Sequence, residues 1–565
     1  MSLFTKFSFI ATLILLVSAS ALRAESALLD TNALATLAIQ DHGRKKPFTT
    51  FAHEMLLTLS GKPTLDVTNA DGTHAKLGAD EVILDLWLKP EGWDERPLIM
   101  LNFLALKKQF GLPEDRKLFT FKELIDQPAL RDLLDQAQKL RQSDHADQLT
   151  DIQKEAEHLG ERLQLFQDLV SGAKEAVVPN AVSAEGQWST PAFLASGSDR
   201  AYSISNSPQA GEIFRTWWQA YASDNIRQFN TLTPQVVDAL RALAPRYYPS
   251  TGTLQFEHNY MTLEPFLWAW VGYLLALLVL LMTALWMKDI GYRLTWALVL
   301  VGLGFEVYGF ACRIIISGRP PVTNLYETVI WVSFVAMVFA VVLEAIYRKR
   351  YFFYAGLPAS ILTLIIADSQ PTILDSSINP LTAVLRDNMW LTIHVLSIVS
   401  SYGAFLLTAA LGHIALVLSL WGKRYKAAQK DLHFFIYRAM QIGVLLLAIG
   451  TILGGVWANY SWGRFWGWDP KETWALITLL CYIALLHGRF AGWWKDFGLA
   501  IGSVVCFLSV MMSWYGVNFI LGQNGRSLHS YGLSTGGLSY ATGFALFEVI
   551  FVAFVLVWHR RTQAA

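Results

Sequence analysis

Cysteine is scarce in this chain, with three thiols among 565 residues. Cys312, Cys481 and Cys506 each lie inside an apolar run, and neither a CxxC nor a CxxCH spacing occurs in the sequence. A thiol oxidoreductase needs a paired, reactive cysteine, and a protein that carries covalent haem needs CxxCH. Neither class fits the sequence, and we expect the three thiols to behave as small buried apolar side chains.

Net charge is also absent, because 45 Lys and Arg balance 45 Asp and Glu. The hydrophobic share of 53% is too high for a protein built only of soluble domains. The balance hides a division of the chain. From Glu25 to Tyr260, 32 acidic residues outnumber 23 basic ones, whereas 20 basic residues outnumber 13 acidic ones from Met261 onward. Two regions of different physical character therefore share one chain.

The N-terminal region is predicted to leave the cytoplasm. Residues 1–24 have a lysine, a short apolar run and small residues at the end, which is typical of a signal peptide, with an N-terminal anchor as the alternative. Residues 25–260 then form an exported soluble domain of mixed, mainly α structure. In this domain VILDLWL predicts a strand, residues 129–170 predict an amphipathic helix or helical hairpin, and SGSDRAYSISNSPQAG predicts a loop. It contains no catalytic constellation.

Residues 261–565 are predicted to form a polytopic α-helical membrane domain of about nine helices. The apolar runs lie at residues 265–287, 293–316, 324–347, 351–367, 389–421, 437–458, 473–489, 497–521 and 541–559. If the preceding domain is exported, the inner loops and the C-terminal tail hold 14 of the 20 Lys and Arg of this half. This asymmetry agrees with the positive-inside rule and places the segment between the sixth and seventh helices on the outer face.

That outer segment, WANYSWGRFWGWDPKETW, is unusually rich in aromatic residues interrupted by glycines. An interfacial aromatic belt is one interpretation, and a platform for a large planar hydrophobic cofactor is the other. His394, near the start of the fifth helix, and His529, between the eighth and ninth helices, flank the segment on the same face. Neutral imidazoles on opposite sides of a ring would give haem iron two axial ligands, so Trp457 and these histidines are candidate cofactor-binding residues.

Several charged residues are candidates for specific roles. Arg464 and Lys471 are candidates to pair with haem propionates, or else are plain interfacial charges. Asp469 is expected to cap the helix that PKETWAL begins. Glu306 and Arg313 are expected to form an internal polar pair, since they lie two turns apart on one helix face.

Two more histidines lie within predicted helices. His487, deep in the seventh helix, is a candidate ligand or proton-relay group facing the bundle interior. His413 is a candidate partner for it, although a satisfied core histidine is the simpler interpretation.

The stretch WGRFWGWDPKETWALITLL resembles the tryptophan-rich WWD signature of the CcsA/ResC family, the system II cytochrome c synthases. The segments SGRPPVTNLYE, MWLTIHVLSIVSSYGAF and LHSYG resemble other family segments in the same order, and the resemblance covers about residues 265–560. Less specifically, QDHGRKKPFTTFAHEMLLTLSGK resembles a segment of some long members. Fused members of the family carry a second intramembrane histidine on an added N-terminal membrane portion. No segment of this sequence resembles that portion, so the resemblance implies that a separate CcsB/ResB-type subunit supplies the second inner ligand.

The resemblance implies a holocytochrome c synthase (haem lyase) component of the bacterial inner membrane. It would move haem b to the periplasmic face and present it for thioether attachment to the CxxCH motif of apocytochromes c. Carried over by position, His394 and His529 become outer iron ligands and His487 an inner one, whereas the signature itself supplies Trp462, Trp466, Trp468 and Asp469. A thiol reductant protein is a further expected partner, and no nucleic acid is expected. Alternatives are a haem exporter or a bis-histidine electron-transfer cytochrome.

Overall fold

A computed structural model describes residues 28–68, 74–143, 145, 148–192, 194, 207–285, 287–371, 373–381, 387–521 and 537–564. The expected signal peptide or anchor, residues 1–24, lies outside this part of the chain. The described part consists of an N-terminal domain of short strands and helices, followed by a bundle of long apolar helices. The predicted fold class, a polytopic helical membrane protein with a mixed, mainly α N-terminal domain, is confirmed.

The N-terminal domain contains three antiparallel two-stranded hairpins set among helices. The hairpins pair β1 (Ala38–Asp41) with β2 (Arg44–Pro47), β3 (Thr64–Thr68) with β4 (His74–Gly78), and β5 (Ile99–Met100) with β6 (Leu118–Phe119). The helices are α1 (Thr31–Leu34), α2 (Phe48–Ser60), α3 (Ala79–Leu88), α4 (Leu104–Gln109), α5 (Phe121–Ile125), α6 (Pro128–Gln142), α7 (Asp151–Val170), α8 (Ser207–Ala222) and α9 (Ile226–Leu243). Their apolar faces share one hydrophobic core, so the domain has its own packed interior.

Two predictions for this domain have clear outcomes. Of the two alternatives predicted for residues 129–170, the helical hairpin is confirmed, because α6 and α7 are consecutive helices that pack on each other. The predicted strand VILDLWL is wrong, since these residues lie in α3. Glu81 accepts the backbone N–H of Gly78 at 2.9 Å and so caps the helix, and a short, wholly apolar run does not by itself distinguish a buried helix from a strand.

The predicted loop SGSDRAYSISNSPQAG lies mostly outside the described residues. Its C-terminal part is helical, because α8 already begins at Ser207. The last predicted turn residues therefore belong to a helix rather than to a loop.

Within the described residues, nine helical segments are long and apolar enough to cross a membrane, which agrees with the predicted number. They are α10 and α11 together (Thr251–Leu263 and Pro265–Thr283), α12 (Lys288–Ser317), α13 (Leu325–Tyr347), α14 (Tyr351–Ser369), α15 (Asn388–Ser419), α16 (Lys426–Trp462), α17 (Pro470–Phe490), α18 (Asp496–Leu521) and α19 (Gly537–Ala564). Connections of a few residues join most of them, so successive helices run in opposite directions. The segments 318–324, 370–371, 373–381 and 463–469 therefore share the bundle end from which the N-terminal domain emerges.

Buried charges in the bundle are paired, but not as the sequence suggested. The expected pair of Glu306 with Arg313 is wrong, because seven residues of helix rise about 10 Å, which is too far for direct contact. Glu306 instead accepts hydrogen bonds from Tyr273 at 2.6 Å and Ser333 at 3.0 Å. Arg313 forms an ion pair of 2.8 Å with Glu327. Each charge is thus satisfied by a neighbouring helix, as a low-dielectric interior requires.

The three cysteines all lie within bundle helices, as their apolar surroundings predicted. Cys312 is fully buried, whereas Cys481 and Cys506 are partly buried, and all three are free thiols. Their positions fit structural rather than redox roles.

Candidate functional site

A cavity of about 1370 Å³ lies between the N-terminal domain and the adjacent end of the helical bundle. It exceeds the roughly 300–1,000 Å³ of ordinary small-molecule pockets. The N-terminal domain contributes Met100, Asn102, Phe103, Glu155, His158 and Arg162 to its wall. The bundle contributes, among others, Arg319, His394, Trp457, Trp466, Lys471 and Trp514. Several of the residues singled out in the sequence thus meet in one space.

The aromatic segment is partly helical, which the sequence did not indicate. Helix α16 extends to Trp462, four residues beyond the predicted end, and Gly463 terminates it with φ of 69°. Trp457 is therefore a helical residue, buried to 8% exposure, and it lines the cavity together with Trp466. Trp468 is 69% exposed and is not among the residues that line the cavity. Only part of the aromatic segment, including Trp457 and Trp466, therefore contributes to the cavity wall.

His394 lies in a π-helical turn of α15, Leu391–Val395, which is a common irregularity at functional sites. Its Nδ1 is 2.8 Å from the carbonyl oxygen of Gly450 on α16. Because a carbonyl can only accept, Nδ1 carries the proton in the neutral ring and Nε2 carries the lone pair. Histidines that bind metals are typically oriented by such a bond. The ring also meets Trp457 edge-on, with centroids 5.6 Å apart.

Gly454, one turn after Gly450 on α16, makes room for this imidazole. A Cβ at Gly454 would stand 2.5 Å from Cε1 of His394, closer than any side chain tolerates. The glycine therefore allows the ring to pack directly on the α16 backbone. Sequence reasoning missed this residue, although the GG pair within an apolar helix was a visible signal.

Asp469 and Glu472 organise the start of α17, as expected for Asp469. Asp469 accepts the N–H of Lys471 at 2.9 Å, while Glu472 accepts the N–H of Gly467 at 2.7 Å and of Asp469 at 3.2 Å. This is a capping box with a proline at the first helical turn. Arg464 pairs with Glu472 at 3.1 Å and so braces the same segment. These contacts fix the backbone that carries Trp466.

Lys471 differs from Arg464, because it lies on the cavity wall. Its Nζ donates to the carbonyl oxygens of Ser513 at 3.0 Å and Trp514 at 3.2 Å. Two carbonyls hold the ammonium group without neutralising it, so a positive charge remains beside the cavity. Lys471 thus retains the capacity to attract an anionic group, whereas Arg464 is committed to Glu472.

Three buried polar atoms on the cavity wall have no hydrogen-bond partner among the described residues. Trp466 Nε1, Asn518 Oδ1 and Arg319 Nε are buried and make no hydrogen bond to the described residues. All three residues line the cavity. Buried polar atoms are normally satisfied, so these atoms indicate a missing partner. An apolar, aromatic wall with a histidine, cations and open donors fits a large planar anion such as haem.

The remaining histidines have different surroundings. His529 lies outside the described residues. His487 is exposed on α17, with Nδ1 2.9 Å from the carbonyl oxygen of Ile483, so the expectation that it faces the bundle interior is wrong. His413 lies 2.9 Å from Glu548 on α19 and is a satisfied histidine, as the simpler interpretation held. Helical spacing alone did not reveal which face of α17 is covered.

The family model described as cytochrome C assembly protein matches residues 322–523, which lie in the helical bundle. CcsA of Chlorella vulgaris, a cytochrome c biogenesis protein, is 31% identical over 253 residues, which cover 38% of this chain and 78% of that protein. CcsA of Guillardia theta is 33% identical over 247 residues, 39% of this chain and 79% of that protein. The chain belongs to the CcsA family of cytochrome c biogenesis proteins.

A longer relative matches both parts of the chain. Protein NrfI of Wolinella succinogenes is 29% identical over 517 residues, which cover 86% of this chain. The match covers 53% of NrfI, so the chain spans about half the length of that relative. The N-terminal domain therefore has a counterpart outside the shorter CcsA proteins.

Proposed function

We propose that this chain brings haem b to the outer face of a bacterial inner membrane and presents it for attachment to apocytochromes c. The observation that carries the proposal is the position of His394, whose Nδ1 bonds the Gly450 carbonyl beside Trp457 on the cavity wall. In this tautomer Nε2 of His394 carries the lone pair, and Nε2 is therefore the atom proposed to bind iron. His529 is proposed as the ligand on the opposite side of the ring.

The attachment reaction is an addition of thiol to alkene, and no oxidant is needed. The sulfur of each CxxCH cysteine bonds to one vinyl carbon of haem, and the proton ends on the other. The chain's part is to hold the ring so that the vinyl edge meets the thiols, which is catalysis by orientation. Trp462, Trp466, Trp468 and Asp469 are proposed to shape and fix the segment that does this. The thiols belong to the apocytochrome, kept reduced by a separate thiol reductant protein.

An inner haem site at His487 is part of the proposal, and its exposure suggests where the second ligand comes from. His487 lies on the exterior of the described bundle, so a ligand approaching it comes from another subunit rather than from the bundle core. A CcsB/ResB-type partner packed against α17 would supply that ligand. Haem would then pass from this inner interface to the cavity near His394.

Co-expression tests the synthase proposal. The chain and a ResB-type partner are produced in cells that lack their own maturation system, and covalent haem is measured on a CxxCH reporter. We expect holocytochrome with the wild type and with His145→Ala, a control on the exposed surface of the N-terminal domain. His394→Ala should abolish it. If the wild-type pair yields haem-loaded membranes but no holocytochrome, the chain is a haem exporter and the synthase proposal fails.

A further inference from the structure

Two arginines from different parts of the chain line the same cavity. Arg162 lies on α7 of the N-terminal domain, and Arg319 lies in the segment between α12 and α13 of the bundle. Neither residue was singled out by the sequence, and they stand 157 positions apart. The guanidinium is the side chain best suited to planar, bidentate binding of carboxylates.

Arg319 is held in a rigid segment. Its Nη2 donates to the Asn379 carbonyl oxygen at 2.6 Å and to Thr323 Oγ1 at 3.2 Å, while its buried Nε has no partner among the described residues. Glu327 accepts the N–H of Thr323 at 2.7 Å and pairs with Arg313, so the segment is fixed from both sides. The contacts position the guanidinium without using all of its donors.

Arg162 is positioned by the N-terminal domain itself. Its Nε donates to the Thr58 carbonyl oxygen at 3.2 Å, and its Nη1 donates to the Met100 carbonyl oxygen at 3.4 Å. These acceptors are neutral, and the carboxylates of Glu155 and Glu161 on the same helix do not offset the loss of solvation, because the pKa of Arg162 is lowered overall. Burial lowers the pKa of Arg162, which means that its charge has lost solvation and would gain from a nearby anion.

Three acidic residues, Glu155, Asp375 and Glu472, also line the cavity, and Glu472 is paired with a cation that is not on the wall. Glu472 is bonded to Arg464 and to two backbone amides, and Asp375 accepts the backbone N–H of Ser377 at 2.9 Å. Glu155 lies two turns before Arg162 on α7, and its charge favours the charged form of that arginine. With Glu472 paired to Arg464, the cations Arg162, Arg319 and Lys471 outnumber Glu155 and Asp375 on the wall by one charge, which favours an anionic ligand.

We propose that Arg162 and Arg319 form a carboxylate clamp that binds the two propionate groups of haem. The inference rests on the proposed function and deepens it, because it assigns a role to the N-terminal domain as one wall of the haem site. With the propionates held at the clamp, the ring is fixed in rotation about the iron axis, so the clamp determines which edge faces the arriving thiols.

Binding of haem and of haem dimethyl ester, in which both propionates are esterified, tests the clamp on the purified full chain. We expect the wild type to bind haem at least about tenfold more tightly than the ester, since each lost charge-assisted bond is worth about that factor. Arg162→Gln should weaken haem binding about tenfold and leave ester binding nearly unchanged. Arg319→Gln should do the same, and Arg319→Lys, which keeps the charge, should restore part of the preference.

Arg141→Gln is the matched control. Arg141 lies on the neighbouring helix α6, pairs with Glu157 on α7 and is not on the cavity wall. It should keep the wild-type preference. A wild type that binds haem and its ester equally, or an Arg162→Gln variant that retains the full preference, overturns the clamp while the proposed function stands. A wild type that binds neither ligand and matures no cytochrome instead removes the proposed function.

Discussion

At the scale of single residues, the site depends on how closely one imidazole packs on the neighbouring helix. His394 is oriented by the Gly450 carbonyl and accommodated by Gly454. The sequence predicted the histidine from its position beside an aromatic segment. It did not predict the two glycines, since their effect depends on the crossing of α15 and α16, which no local pattern encodes.

Gly454→Ala should displace the His394 ring, because the added methyl would stand 2.5 Å from its Cε1. We expect the haem content of the purified protein to fall several-fold, approaching that of His394→Ala. Gly304→Ala is the matched control in another bundle helix, where an added Cβ has no neighbour within 4 Å. Equal haem content in the Gly454→Ala variant and the wild type would show that the imidazole does not need this space.

A buried ion cluster in the N-terminal domain gives a second prediction at this scale. Lys46, 1% exposed, bonds Asp41 at 3.0 Å and also pairs with Glu54. Lys46→Met should lower the free energy of unfolding of the domain by about 1.5–3 kcal/mol, because Asp41 and Glu54 each lose a charge-assisted bond but keep Lys174 and Arg44 as cationic neighbours. Lys62→Met, at an exposed position, should change it little. Limited proteolysis during a temperature ramp measures both, and matching curves would mean that Lys46 is dispensable.

At the scale of elements, long apolar runs predicted the membrane helices well, and short runs predicted the N-terminal domain poorly. A spanning helix is determined by its length and hydropathy, so nine of them could be located from composition. The strand prediction for VILDLWL was wrong because a buried helix and a buried strand are equally apolar. The end of α16 was missed because Gly463, which stops the helix, follows residues that fit either a helix or a loop.

The cap of α17 gives the prediction for this scale. Asp469→Ala should cost about 1 kcal/mol of helix stability and loosen the segment that carries Trp466. We expect partial loss of haem with the bundle intact. Asp289→Ala, in the first turn of α12 at the opposite end of the bundle, should leave haem content unchanged. Haem absorbance per mole of purified protein compares them, and full haem content in Asp469→Ala would contradict a role for the cap.

At the scale of the whole molecule, the N-terminal domain and the bundle together enclose the cavity. Sequence analysis assigned no role to this domain, because its contribution consists of residues such as Met100 and Arg162 that carry no motif. Only the folded chain brings them opposite the tryptophan-rich segment. The two parts of the chain thus contribute to one cavity.

The proposed orientation can be tested on intact cells. If the N-terminal domain lies outside the inner membrane, protease added to spheroplasts should digest it and leave the bundle helices protected. A cytoplasmic protein in the same sample should stay intact as the control. Protection of the N-terminal domain would reverse the orientation and would place the cavity on the cytoplasmic side.

The central claim is that His394 binds the iron of haem in the cavity. Replacing it with alanine and adding free imidazole to the purified protein tests this claim, because imidazole can occupy the space of the lost ring. We predict that His394→Ala loses most of its bound haem or changes its absorption spectrum, and that imidazole restores the wild-type spectrum. A His394→Ala protein with wild-type haem content and spectrum, unaffected by imidazole, would contradict the claim.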